Sequence, residues 1–328
     1  MYNLSNQLLE QYPFEVSDIQ KGRGAYICTT AEGKIILREF KGSPAKAKAL
    51  DEILNTLSAS AIRADEIIHT TEGEVLAKET DETVYYARRY IEGRECETRN
   101  RDDILKAVQE LAKLHNVLHK TDIVCTAVPK KAFLEEVQKH NRELKKVRNY
   151  IHGKHKKNEF EMIFMRHYEA FLKQALEVEG ALFTWLDKAG EEELRKMYGI
   201  CHGDYNQHNV IFSGKELVFT NFEQACFDMQ VVDLAHFLRK LMEKHNFNVG
   251  LASDMIRSYE KNRRLTSGEW KQLYFKMAYP EKFWKVANHY FNANKAWVSG
   301  RDIEKLNKVI EQEEIRQEFL RILFYFVR

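Results

Sequence analysis

The stretch Ile200-Cys201-His202-Gly203-Asp204-Tyr205-Asn206-Gln207-His208-Asn209-Val210-Ile211 and the hairpin that follows it limit the fold of this chain more than any other feature. An Asp is followed five residues later by an Asn, and then by a strand. Val210 to Phe212 and Leu217 to Thr220 read as short strands flanking the turn Ser213-Gly214-Lys215-Glu216. Antiparallel pairing across that turn carries Asn209 and Asn221 to the same open end, with Cα atoms roughly 5 Å apart. Phosphoryl transfer needs such a convergence: a loop Asp accepts the proton of the acceptor hydroxyl, and side chains from two loops meet on one ion. An ordinary hairpin capped by polar residues would explain the hairpin alone, but not its agreement with the loop Asp and the order of elements along the chain.

That order is β first and helix after. Phe14 to Ile19, Ala25 to Thr29 and Lys34 to Phe40 read as strands, with turns at Lys21-Gly22-Arg23-Gly24 and Ala31-Glu32-Gly33. Ser43-Pro44 is an N-cap with Pro at the first helical position, and Leu50, Ile53, Leu54 and Leu57 follow at helical spacing. Glu74 to Lys78 and Thr83 to Tyr90 form a hairpin about Thr80-Asp81-Glu82, and Ile91-Glu92-Gly93 is a hinge. From Asp102 a stripe of Ile104, Leu105, Val108, Leu111, Ala112, His115 and Leu118 predicts a helix, with His115 as a hydrogen-bonded core residue. Residues 131 to 198 predict two or three charged helices with a break at His152 to Asn158, and everything after Val232 reads as helical. The expected division is residues 1–90 as a β-rich small lobe and 91–328 as a helical large lobe.

Composition removes several classes. With 51 basic and 49 acidic residues the net charge is +2, which gives no reason to expect nucleic acid as partner. The longest apolar run, Ile322 to Val327, is too short to span a bilayer, and Met1 to Val16 lacks the basic and apolar regions of a signal peptide. The cysteines at 28, 96, 125, 201 and 226 are odd in number and widely spaced, so they read as reduced thiols.

The remaining parts of a phosphotransferase are less regular. Gly22-Arg23-Gly24 serves equally well as a phosphate cradle or as a plain turn. Arg38 stands in the strand Ile35-Ile36-Leu37-Arg38, where a phosphate-anchoring Lys is usual; its guanidinium still forks onto phosphates, with different reach. The following helix offers it no Glu: Lys46 lies on the apolar face, Asp51 flanks that face and Glu52 points away. Lys46 either approaches a phosphate or snorkels to solvent. Asn221 stands where the second metal-binding Asp belongs. It keeps an oxygen but loses a charge worth ~4 kcal/mol at ~4 Å and an effective dielectric of ~20. Glu223, two residues on in an extended segment, would share its face and restore a carboxylate. His202 packs beneath its loop, and His208 is an exposed loop residue within reach of a substrate. Asp233 is expected to be a buried acceptor for loop N–H groups rather than a metal ligand. The aromatics Trp270, Tyr274, Tyr279, Phe283, Trp284, Tyr290, Phe291 and Trp297 form either core or a box for a quaternary amine.

These residues resemble the protein-kinase-like superfamily in its aminoglycoside/choline phosphotransferase branch. The chain as a whole looks like the bacterial spore coat protein CotS family. The match rests on ARRYIEGREC (Ala87 to Cys96), LAKLH (Leu111 to His115), HGDYNQHNV, VVDLAHFLRK, the run Tyr279-Pro280-Glu281-Lys282-Phe283-Trp284 and Ala287-Asn288-His289-Tyr290. The resemblance implies a two-lobe, kinase-like α+β fold with a long helical insert. It also implies synthesis in the mother cell, residence in the endospore coat, and other coat proteins as partners. Two readings of function follow. One is a coat protein on a degenerate scaffold that binds nucleotide weakly or needs no cofactor. The other is an ATP- and Mg2+-dependent phosphotransferase acting on a small hydroxylated metabolite or sugar. In the second, Asp204 is the base and Asn209, Asn221 and Glu223 are the metal ligands. Gly22, Gly24, Arg38, Lys46, Tyr90 and Ile91 then contact the nucleotide. Protein kinase activity fits less well, since no activation segment separates Asn221 from Asp233.

Overall fold

The computed structural model describes residues 4–22, 24–119, 128–293, 300–325 and 327. Arg23 of the Gly-rich turn, Cys125, Trp297 and Phe326 of the C-terminal apolar run lie outside them. The chain divides into two compact units. The first comprises residues 1–130, 199–227 and 258–263, and the second residues 131–198, 228–257 and 264–328.

The first unit is built on an antiparallel sheet. Its elements are α1 (Asn6–Leu9), β1 (Val16–Lys21), β2 (Tyr26–Thr30), β3 (Gly33–Glu39), α2 (Pro44–Ala59), β4 (Ile67–Ile68), β5 (Ala77–Lys78), β6 (Val84–Arg89), β7 (Arg94–Glu95) and α3 (Arg101–His119). The strands run in the order β1-β2-β3-β6-β4, with β5 also paired to β6. Alternation sorts the two faces. Ile35, Leu37 and Ala87 turn to one side and form a core with Leu8, Tyr12, Cys28 and Ala77. The register pairs Ile36 with Arg88 and Arg38 with Tyr86, so those four side chains share the opposite face.

Ser43 caps α2 as its sequence requires, accepting from the Lys46 amide, with Pro44 in the first turn. The helix buries Leu50, Ile53, Leu54 and Leu57. On α3 the expected stripe is inside except for the half-buried Leu105, and His115 is fully buried with Nδ1 2.7 Å from the Tyr259 hydroxyl. Four more strands follow along the chain, β8 (Tyr198–Cys201), β9 (Val210–Ser213), β10 (Glu216–Phe219) and β11 (Cys226–Met229); β9 and β10 lie wholly in this unit, while β8 and β11 run across its boundary. Strands β9 and β10 form the expected hairpin, Val210 opposite Phe219. Strands β4, β7, β8 and β11 have no counterpart in the sequence reading. β7 pairs with β9 through Arg94–Phe212 and Glu95–Ile211. The hinge glycine makes that pairing feasible: a Cβ on Gly93 would lie 2.5 Å from the Phe212 carbonyl oxygen.

The second unit is helical: α4 (Phe133–His152), α5 (Glu159–Lys188), α6 (Glu191–Arg195), α7 (Val231–Met242), α8 (Val249–Glu260), α9 (Ser267–Ala278), α10 (Glu281–Asn292), α11 (Gly300–Glu311) and α12 (Glu313–Leu323). Asn158 restarts the chain after the predicted break through a capping box with Glu161. Of the C-terminal aromatics, Tyr279 and Phe283 are buried core, and Trp284, Tyr290 and Phe291 pack against it half-buried. Phe283 stacks on Phe164 and Phe171, Tyr290 stacks on Phe160, and the Tyr279 hydroxyl donates to Asn141. Asp233 is fully buried in the first turn of α7. The described cysteines, 28, 96, 201 and 226, are buried. Among the described residues no helix is long and apolar enough to cross a membrane.

Candidate functional site

The loop between β8 and β9 is fixed from beneath. Tyr205 is fully buried and its hydroxyl donates to the Ala107 carbonyl on α3 at 2.9 Å. His202, also buried, sits 3.0 Å through Nε2 from the Thr220 carbonyl, while its Nδ1 accepts from the Asp204 amide at 3.3 Å. A ring held this way at both nitrogens braces the loop and is not placed to act as a base. Asn206 caps the short 3-10 turn Gln207–Asn209 by accepting from the His208 amide. Gly203, at φ +80°, lets the loop pass against the Gln224 carbonyl.

The geometry brings Asp204, Asn209 and Asn221 together. Asn209 Nδ2 donates to the Asp204 carbonyl at 2.8 Å and reaches its carboxylate at 3.3 Å. Asn221 Nδ2 donates to Asn209 Oδ1 at 2.7 Å. The segment after Asn221 is not extended, however. Asn221 adopts the left-handed conformation (φ 67°), which Asn tolerates, and Phe222–Gln224 form a 3-10 turn. Glu223 therefore does not simply share the face of Asn221 as strand alternation would place it. Instead it accepts from Arg38 Nη1 at 2.8 Å and from the Tyr86 hydroxyl. Arg38 thus has its carboxylate partner, supplied by residue 223 rather than by α2. Asp51 on α2 is engaged by His69 and Asn55, 3.1 Å from each.

Behind this pair lies a group that alternation alone did not reveal. Arg88 is 6% exposed and forms an ion pair with Asp65, itself 3% exposed. Its Nη2 donates to Asn221 Oδ1 at 2.6 Å, and Arg38 Nη1 reaches the same oxygen at 3.2 Å. The Asn221 amide N–H donates to Asp65 at 3.2 Å, which stabilises the left-handed turn. The only sequence signal was an arginine at an inward position of β6. Burial works to raise the Glu223 carboxyl, but the charge of Arg88, the Tyr86 hydroxyl and Arg38 outweigh it and hold the group below the usual carboxylate range. A carboxylate held low stabilises the fold above its unfolded pKa, and that stability is lost as pH falls through the folded value. Glu223→Gln is accordingly expected to flatten the loss of stability below about pH 4, measured by denaturant melts across pH.

These residues line a cavity of about 770 Å³, the size of a small-molecule site. Gly22, Arg38, Tyr90, Ile91, Asp204, Asn209, Asn221 and Glu223 border it, together with Arg88, Arg89 and His208. His208 Nδ1 is 2.5 Å from Glu95. Two candidates fall elsewhere: Gly24 (φ +69°) shapes its turn, and neither it nor Lys46 borders the cavity.

A family model described as spore coat putative kinase YutH matches residues 5–323. The chain belongs to this spore coat kinase-like family. Spore coat protein S of Bacillus subtilis (strain 168) is 21% identical over 326 residues, which covers 96% of this chain and 92% of that one. An aminoglycoside phosphotransferase from Alicyclobacillus acidocaldarius superposes with a TM-score of 0.85 at 18% identity, covering 100% of this chain and 97% of the other. A spectinomycin phosphotransferase solved with ADP and spectinomycin gives a TM-score of 0.66 at 13% identity over 94% of each chain. An amicoumacin kinase solved with AMP-PNP and Ca2+ gives 0.64 at 13% identity, over 97% of this chain and 90% of that one. The fold is therefore kinase-like, with an antiparallel N-lobe and a helical C-lobe.

The phosphotransferase fold implies a divalent ion between the loop Asn and the residue at 221. The side chains here do not fit one. Asn209 Oδ1 faces the Asn221 NH2 group, and Asn221 Oδ1 faces two guanidinium groups. Among the described residues no group of three or more His, Cys, Asp and Glu side chains is arranged to hold a metal.

Proposed function

We propose that this chain is a component of the endospore coat, built on a kinase scaffold that has lost metal-assisted phosphoryl transfer or retains it only weakly. Its partners on this reading are other coat proteins, with synthesis in the mother cell. Residues 1–90 would serve as the small lobe and 91–328 as the large lobe, joined at Ile91-Glu92-Gly93. The observation that carries the reading is the environment of Asn221 Oδ1, which accepts from Arg88 at 2.6 Å and from Arg38 at 3.2 Å. A cation has no place on an oxygen already held by two cations.

A second reading rests on Asp204. It is exposed, borders the cavity and has Asn209 donating to its carboxylate, an arrangement suited to a base for the hydroxyl of a small metabolite or sugar. The two readings separate in a thermal-shift titration of ATP with and without Mg2+. On the first, Mg2+ adds nothing to the melting temperature at millimolar ATP. A Mg2+-dependent rise abolished in Asp204→Ala and Asn209→Ala would establish the second. Binding at a hundred times Kd adds about 2.7 kcal/mol, well within reach of the method.

A further inference from the structure

The arginines that exclude a metal also have hydrogen-bonding capacity to spare. Arg38 is about one-third exposed at the cavity. Its Nη1 is committed to Glu223 and Asn221, while Nε and Nη2 make no hydrogen bond among the described residues. Arg88 binds Asp65 and Asn221 through its two terminal nitrogens, and its buried Nε has no acceptor. Both side chains leave the same face of the sheet and border the same cavity, with Arg89 one residue on. Of the acids bordering the cavity, Asp65 is paired with Arg88, Glu223 with Arg38 and Tyr86, and Glu95 lies against His208; Asp204 borders it too, with the Asn209 amide on its carboxylate. In a phosphotransferase the metal ions neutralise the phosphate chain and hold it against the loop residues. A planar, permanently charged guanidinium meets the same need for a phosphate oxygen, and forks onto two oxygens at once.

We propose that Arg88 and Arg38 stand in for the metal ions, so that this cavity binds a phosphate-bearing ligand without a divalent cation. The proposal deepens the degenerate-kinase reading and rests on it for the exclusion of the metal. Arg88 is the fixed charge, locked by Asp65 and Asn221. Arg38 is the adjustable one, able to turn its Nε and Nη2 edge to the ligand while Nη1 keeps Glu223. The dependence on Mg2+ then reverses sign. Mg2+ bound to a polyphosphate cancels the charge that the arginines recognise, so it competes with the protein instead of bridging to it.

The test is a thermal-shift and calorimetric titration of the full chain with ATP, ADP and inorganic pyrophosphate, in EDTA and in excess Mg2+. Stabilisation in EDTA that shrinks in Mg2+ is expected. Pyrophosphate acting as well as ATP would assign the recognition to the phosphates, whereas ATP acting alone would add the base to it; either supports metal-free binding. Arg38→Gln, a partly exposed change that leaves the buried pair intact, should weaken binding in EDTA about ten- to a hundredfold. No stabilisation by any of the three in EDTA, or an unchanged affinity in Arg38→Gln, overturns the inference and leaves the degenerate-kinase reading standing. Stabilisation that requires Mg2+ overturns both.

Discussion

Gly203→Ala is expected to destabilise the first unit by about 3–5 kcal/mol, a large share of the roughly 5–15 kcal/mol that holds an ordinary domain folded. Two causes add. The residue has φ +80°, where an L side chain costs roughly 1–2 kcal/mol. A Cβ there would also lie 1.8 Å from the Gln224 carbonyl oxygen and 2.6 Å from its carbon, and both are backbone atoms that no rotamer change can move aside. Relief requires the 203–205 loop to part from the turn that carries Glu223, which breaks the approach on which the site depends. Gly214 is the control. It has φ +61°, but nothing lies within 4 Å of its would-be Cβ, so Gly214→Ala should lose only the conformational term, roughly 1–2 kcal/mol. Paired urea melts of the two variants measure the difference. Equal midpoints would mean that the loop and the turn are not packed as described.

The sequence disclosed whatever depends on neighbours along the chain. The hairpin from Val210 to Phe219 could be read because its turn residues and its length are local. The cap at Ser43-Pro44 and the buried stripe of α3 follow from spacing alone. The convergence of Asn209 and Asn221 followed from antiparallel pairing, and their side chains do meet, at 2.7 Å. What escaped depends on partners distant in sequence. Nothing along the strand read from Thr83 to Tyr90 marks Arg88 as a paired, buried charge. Its burial is stabilised by Asp65, 23 residues before it, and by Asn221, 133 residues after it. The placement of Glu223 departs from the sequence reading for a different reason. Strand alternation was carried past Thr220, but Asn221 takes the left-handed conformation and the next three residues coil, which sends Glu223 to Arg38 and Tyr86. A two-residue strand such as Arg94–Glu95 leaves no periodicity to detect; it exists because Gly93 lets its backbone reach Phe212.

Arg88→Gln is expected to produce the second large loss, about 3–5 kcal/mol, because it strands the Asp65 carboxylate, 3% exposed, without its cation. The loss belongs to the stranded charge and not to the missing contact, so Asp65→Asn in the same chain should restore most of it. A neutral pair in place of a buried ion pair is often close to neutral in stability. The single variant has a second expected property. Without Arg88 the wall holds two carboxylates, Asp65 and Glu223, close to the Asn221 oxygen, with Arg38 as their remaining cation. That set is hard, oxygen-rich and net negative, the preference of Mg2+ and Ca2+. Arg88→Gln should therefore gain stability on addition of Mg2+ or Ca2+ where the parent chain gains none, and the double variant with Asp65→Asn should lose that response. Differential scanning calorimetry in EDTA and in 10-fold steps of each ion measures both effects together. If the destabilisation appears but neither ion offsets any of it, the guanidinium is a structural cross-link, and its standing in the place of a metal is coincidental. If the ion response appears, restoring a divalent site in this scaffold requires removal of a resident cation first, and Asn221→Asp alone would only hand Arg38 and Arg88 another carboxylate to neutralise.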